Sequence, residues 1–199
     1  GGRFLYRIAA DYHTHTRYSH GKGSILDNVE EARRKGLKKI AISDHGFHHI
    51  GFGMSQSDIG RMREEILSLN RRFHDIEILM GIEANLIGMD GEIDIPEKYL
   101  SAFDIILMGF HMAVKPYTMG DGWKLLVRNG LDKLIPFHSE ELKQANTDAM
   151  VKAMERYPIR IITHPGAKIA IDSRKLAKAA AKEGTALEIN ASHGFMTVE

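Results

Sequence analysis

The stretch Leu5-Tyr6-Arg7-Ile8-Ala9-Ala10-Asp11-Tyr12-His13-Thr14-His15 runs from a largely apolar segment into two histidines spaced two apart. Four later stretches repeat that design. Lys39 to Ser43 leads into Asp44-His45, Ile76 to Ile82 into Glu83, Asp104 to Phe110 into His111, and Ile159 to Thr163 into His164-Pro165-Gly166. A sixth run, Thr185 to Ile189, follows. Runs this short, mostly rich in Ile and Leu and nearly continuous in hydrophobicity, predict strands buried on both faces. The segments between them predict helices. Ser24 with Asp27 suits an N-cap, Ile25, Val29 and Ala32 share one face, and Gly36 suits the stop. Ile59, Met62, Ile66, Leu69 and Phe73 follow helical spacing, a third helix is expected from about Glu140 to Tyr157 before Pro158, and a fourth from about Asp172 to Glu183 before Gly184. Strands alternating with such helices predict an α/β fold around a parallel sheet. In that arrangement all strand C-termini share one face, so five strands aim His or Glu into one bowl.

The residue types fit metal chemistry. His13 and His15 point the same way from a strand and can share an ion. Neutral imidazole with carboxylate suits Zn²⁺, Mn²⁺ or Fe²⁺ rather than Ca²⁺ or Mg²⁺ alone. Glu83, the one carboxylate at a strand end among histidine-bearing ones, is placed to bridge two ions, and two ions roughly 3.5–4 Å apart both generate hydroxide and stabilise a leaving oxygen. His20, in the loop after the first run, is a candidate for a further ligand. The remaining histidines follow no strand end in this way: His48 and His49 are read as loop residues, with lining of the pocket as the alternative, His74 and His138 as surface residues, and His193 is left without a role.

Composition narrows the alternatives. The 199 residues suffice for one cored domain. With 27 Lys and Arg against 26 Asp and Glu, no strong field draws nucleic acid or membrane. The absence of cysteine excludes disulfides, thiolate sites and cysteine nucleophiles. No apolar run approaches the roughly 20 residues of a membrane span and no signal peptide is visible, so a cytoplasmic location is expected. Asp90-Gly91 within Asn85 to Ile95 predicts a hairpin or tight turn, with Asp90, Glu92 and Asp94 on a polar face. Ala113 to Phe137 is too long for a bare connection and predicts a lid or small helix near the site. Gly21-Lys22-Gly23-Ser24 lacks P-loop spacing; it reads as a helix cap, with phosphate binding beside His20 as the alternative.

The segments His13-Thr14-His15, His20, Asp44-His45-Gly46, Gly81-Ile82-Glu83-Ala84-Asn85, Gly109-Phe110-His111 and His164-Pro165-Gly166 resemble the PHP (polymerase and histidinol phosphatase) superfamily, most of all its stand-alone bacterial phosphatases. The resemblance covers the chain outside Ala113 to Phe137. It implies a distorted (β/α)7 TIM-like barrel with two or three ions at the strand C-termini. Carried over by position, His13, His15 and Glu83 would hold one ion, Glu83, His111 and His164 a second, and His20 and His45 a third. The family's Asp-x-His motif at the last strand does not follow Ala186 to Asn190 before Glu199. Residues 1–199 are therefore read as one PHP domain, C-terminally truncated, with residues 113–137 as an insertion. A continuation of roughly 40–60 residues is expected, towards the ~250 usual for related barrels. The two strand edges of an incomplete barrel favour a homo-oligomer through dimerisation or swapping.

The expected activity is a metal-dependent phosphoesterase. A metal-activated hydroxide on a di- or trinuclear site would hydrolyse a small phosphomonoester, with Glu83 bridging the ions. Two rivals are a PHP-type nuclease or proofreading exonuclease, which calls for a basic groove, and a metal-bound but catalytically silent module.

Overall fold

The computed structural model describes residues 7–134 and 140–190. Six strands form one sheet in the order β1-β2-β3-β4-β5-β6: β1 Ala10–Thr14, β2 Lys39–Ile42, β3 Glu77–Asn85, β4 Ile105–Gly109, β5 Ile159–Ile162 and β6 Ala186–Leu187. Every neighbouring pair is parallel. The main helices are α1 Ile25–Arg34, α2 Asp58–Arg72 and the short α3 Glu97–Leu100, followed by α4 Met119–Asp121, a π-helical turn Gly122–Arg128, α5 Asn129–Leu134, α6 Glu140–Arg156 and α7 Ser173–Glu183.

Five strand intervals of about 4.8 Å would separate β1 from β6 by about 24 Å in a flat sheet. Instead His13 of β1 and Glu188, just past β6, meet at 2.9 Å. The sheet is curled into a partial barrel, with all strand C-termini converging. The alternating pattern predicts the parallel α/β sheet, and the TIM-like curl is what the family resemblance implies. Its helical layer is apolar on one side: Val29, Met62 and Ile66 are buried with Ile40, Ile42, Ile78 and Met80 of the sheet, and Met150, Ala153, Leu176 and Ala180 belong to the same core. No helix among the described residues is long and apolar enough to cross a membrane.

Local signals explain most boundaries. Ser24 Oγ accepts from the Asp27 N–H while the Asp27 carboxylate accepts from the Ser24 N–H, the reciprocal capping box that starts α1. Residues 21–24 thus lead into a capped helix, and Gly21 meets a second demand there: a Cβ would lie 2.4 Å from the His15 carbonyl oxygen. Asp172 caps α7, and Gly184 ends it at φ 69°. The turn after β3 forms as expected, with Gly91 at φ 86° and an antiparallel bridge between Leu86 and Ile93.

Two expectations change. The first described strand begins at Ala10, after Arg7, Ile8 and Ala9, and Ile8 is 77% exposed; Leu5 and Tyr6 of the expected run Leu5 to Ala10 lie outside the described residues. As an edge strand β1 has ladder partners on one side only, and they run from Lys39 to Ile42 opposite Ala10 to Thr14. His13 therefore sits inside the strand. Asp94 is not on a solvated hairpin face: it is buried, accepting from the backbone N–H groups of Asn85 and His48 and from Asn85 Nδ2. The insertion is helical from Met119 to Leu134, held by Leu125 in the core and by paired amides between Asn129 and Asn146 of α6. His138, His193 and residues 135–137 lie outside the described residues.

Candidate metal centre

Side chains alternate along a strand, so Glu83 and Asn85 of β3 share one face. That face is the interior of the curl. Glu83 is fully buried there, a position a carboxylate occupies only with partners. Five imidazoles surround it. His13 Nε2 lies 3.3 Å from Oε1, His164 Nε2 3.1 Å and His111 Nε2 3.7 Å, while His45 Nδ1 lies 3.0 Å from Oε2 and His15 Nε2 3.6 Å. Thr163 Oγ1 donates to Oε1 at 2.6 Å. His20 is the most exposed of the expected ligands, and its ring sits 4.7 Å from that of His15 and 4.8 Å from that of His45. All seven residues singled out from the sequence are thus brought into one cluster.

The loop carrying His20 is pinned from below. Asp44 accepts from the Thr16 N–H at 2.7 Å, Thr16 Oγ1 at 2.6 Å and Ser19 Oγ at 2.5 Å. His111 is oriented by a relay: its Nδ1–H donates to Asn85 Oδ1 at 2.7 Å, and Asn85 Nδ2 donates to the buried Asp94. That contact assigns the proton to Nδ1 and leaves the Nε2 lone pair facing Glu83.

The cluster fits metal ions by its own chemistry. His15 Nδ1 is buried with no hydrogen-bond partner, and His45 Nδ1 and Glu83 Oε2, 3.0 Å apart, are buried in close contact without hydrogen-bond geometry, an arrangement that costs free energy unless something else is bound. Three overlapping groups each bring their ligand atoms within 4.8 Å of one another: His13, His15 and Glu83; His45, Glu83 and His111; and His15, His20 and His45. The second differs from the set implied by resemblance, with His45 where His164 was expected, and the third adds His15.

Protonation points the same way. Burial pulls the His15 pKa down to about 3, helped by His45, His13 and His20 against the opposing pull of Glu83. Burial likewise lowers His111 to about 3. Burial would raise Glu83, but the close imidazoles of His13, His164 and His45 hold it well below the usual carboxylate range. At neutral pH these groups are neutral imidazole and ionised carboxylate, the states coordination requires. His13 differs: burial lowers its pKa, yet hydrogen bonds to Glu188 and Glu83 outweigh that and raise it to about 10.

Space around Glu83 depends on a glycine. A Cβ on Gly109 would lie 2.4 Å from Thr163 Oγ1, 2.9 Å from Glu83 Oε1 and 3.0 Å from His164 Cε1. Gly109→Ala is expected to cost about 1–3 kcal/mol, the usual range for overpacking, and to lower metal content. Thermal melting with elemental analysis checks this, and unchanged values in both would contradict it.

Of the two loop histidines, only His49 lies over the site. It stacks 4.5 Å from the His45 ring and 5.5 Å from His111, and the half-exposed Phe52 sits beside it and His20. His48 turns away, its Nδ1 3.3 Å from the Lys115 carbonyl. His74 is exposed, as expected. Glu188 and Asp94 are the site-supporting residues that sequence reasoning missed. The first had a usable signal, a carboxylate near the end of a strand-like run.

A curled parallel β/α sheet with a carboxylate-centred histidine cluster at its C-terminal face defines a class of metal-binding α/β domain. The PHP domain model matches residues 11–192, and the chain belongs to that family. Among curated relatives, a protein named a probable phosphatase from Tolumonas auensis is 36% identical over 190 residues, covering 94% of this chain and 65% of its own length. One of the same description from Caldanaerobacter subterraneus is 33% identical over 198 residues, covering 98% and 67%. The chain spans about two thirds of the length of these relatives. A crystal structure of histidinol phosphate phosphatase from Lactococcus lactis, in complex with zinc, L-histidinol and phosphate, shares the fold with a TM-score of 0.57 and 19% identity, covering 91% of this chain and 72% of that one.

Proposed function

We propose that this chain is the metal-binding part of a phosphatase that hydrolyses small phosphomonoesters, with zinc, manganese or iron in two or three positions. The observation that carries the reading is the ring of five imidazoles within 3.7 Å of one fully buried carboxylate. Glu83 bridges two positions, with His13 and His15 on one side and His45, His111 and His164 on the other. His20 with His45 serves a third. Ions held there supply Lewis acidity towards phosphate oxygens and make hydroxide available at neutral pH. The chain's own contribution is to hold that charge in place. Asn85 and Asp94 fix the His111 ring, Asp44 fixes the His20 loop, and His49 and Phe52 border the side from which substrate enters. The name of the relatives, probable phosphatase, supports the same class of reaction.

Residues 1–199 act as a single domain in this reading, with residues 113–137 as a lid. The insertion leaves from His111 and is tied to the turn after β3, where the Met89 N–H donates to Asp121 at 2.8 Å. A small substrate is favoured over nucleic acid because cationic side chains are largely compensated: Arg33, Lys39, Arg61, Arg63 and Lys152 each face a carboxylate.

The test is hydrolysis by the metal-loaded chain of a chromogenic small phosphomonoester beside a labelled DNA single strand. Turnover of the ester, abolished by chelator and restored by metal, is expected. Digestion of the strand alone would favour the nuclease reading, and metal binding without either activity would leave a silent module.

A further inference from the structure

We infer that Glu188 is a positioning residue that joins the two edges of the sheet and, through that bridge, presents His13 and His164 to the metal centre. The inference deepens the metal-centre reading above and rests on it. Glu188 follows β6, where its backbone N–H still donates to the Ile162 carbonyl of β5 at 2.9 Å. Its carboxylate reaches across the mouth of the curl. Oε1 lies 2.9 Å from His13 Nδ1 on β1, and Oε2 accepts from the backbone N–H of His164 at 2.7 Å and from Asn190 Nδ2 at 3.2 Å. One side chain therefore connects β1, β6 and the end of β5.

Each contact has a consequence at the centre. An imidazole has two ring nitrogens, and which one faces an ion depends on what holds the other. With its Nδ1–H donated to Glu188, His13 turns Nε2 inward, 3.3 Å from Glu83 Oε1 and 3.1 Å from His15 Nε2. A carboxylate behind a ligating imidazole also makes the ring a better donor. His164 is the one non-glycine described residue with positive φ, at 33°, a strained conformation that persists only when surrounding contacts enforce it. The Glu188 Oε2 contact falls on the peptide N–H of that residue, whose Nε2 lies 3.1 Å from Glu83 Oε1. Glu188 stays outside the ligand cage, behind His13 as seen from Glu83.

The test compares the unaltered chain with Glu188→Ala and with the isosteric Glu188→Gln, by two readouts that need no activity. The first is zinc affinity by competition with a chromogenic chelator. The second is hydrogen-exchange protection of the His164 amide in the metal-free protein. Glu188→Ala is expected to weaken zinc binding by roughly 10–100-fold, the usual cost of removing such a partner, and to release the His164 amide to exchange. Glu188→Gln should fall between, since one amide oxygen serves His13 or His164 but not both. Unchanged affinity in both variants, or unchanged His164 protection, would overturn the inference while leaving the metal centre standing. No zinc uptake by the unaltered chain would overturn the metal-centre reading, and with it the positioning role, whatever the His164 amide reports about the bridge.

Discussion

Replacing Glu83 with glutamine is expected to leave the chain folded and nearly empty of metal. The carboxylate is fully buried and lies within 3.7 Å of imidazole nitrogens from His13, His15, His45, His111 and His164. Glutamine keeps its shape, and its amide N–H groups can donate to neighbouring imidazole lone pairs, so packing survives. The negative charge proposed to bridge two ions is lost, as is one of the two oxygens offered as ligands. The fall in affinity should exceed the roughly 100-fold upper end seen when only a supporting partner of a ligand is removed. Elemental analysis after dialysis against a fixed zinc concentration checks this, with circular dichroism to verify folding. Phosphomonoester turnover should fall with the metal. Wild-type metal content in Glu83→Gln would remove the bridging role.

The second large effect is on stability. Ions shared among these ligands would tie together the first four strands, so unfolding would have to release them. Binding to the folded state alone stabilises by about 2.7 kcal/mol when free zinc is 100 times the dissociation constant. For a chain of this size that corresponds to a rise in melting temperature of about 5–11 °C, at about 2–4 °C per kcal/mol. Melts of the chelated and zinc-supplemented protein measure it directly. Coincident melts would show that the cluster takes up no ion in the folded state.

How far the site was legible follows from where its signals lie. His13, His15, His45, Glu83, His111 and His164 could be grouped without a structure because a parallel β/α sheet must place the C-terminal ends of its strands together. The two histidines at positions 48 and 49 were not separable. Periodicity says nothing inside a loop, and the choice was made by the backbone pairing of Ile50 with Ala113 and Lys115 with His48, which turns His49 over His45. Asp94 read as a solvated turn residue because alternation with Asp90 and Glu92 suggested one polar face. In the structure the antiparallel Leu86–Ile93 bridge brings it under Asn85, where three donors replace the water it loses.

The strand boundaries show the same division. β2, β3, β4 and β5 lie where their apolar runs predict, since strands flanked on both sides must be apolar on both faces. β1 is shifted from its run, and β6 occupies only Ala186–Leu187 of Thr185 to Ile189, because an edge strand's extent is set by its one partner.

By itself the sequence determined the α/β class, the parallel order of its units and the set of residues gathered at one face, because all three follow from local periodicity and the chirality of parallel connections. The tertiary structure alone decided which oxygens and nitrogens meet. How far the sheet curls is set by packing across its whole width, and it is that curl which brings His13 from one edge to Glu188 at the other and closes five imidazoles around Glu83.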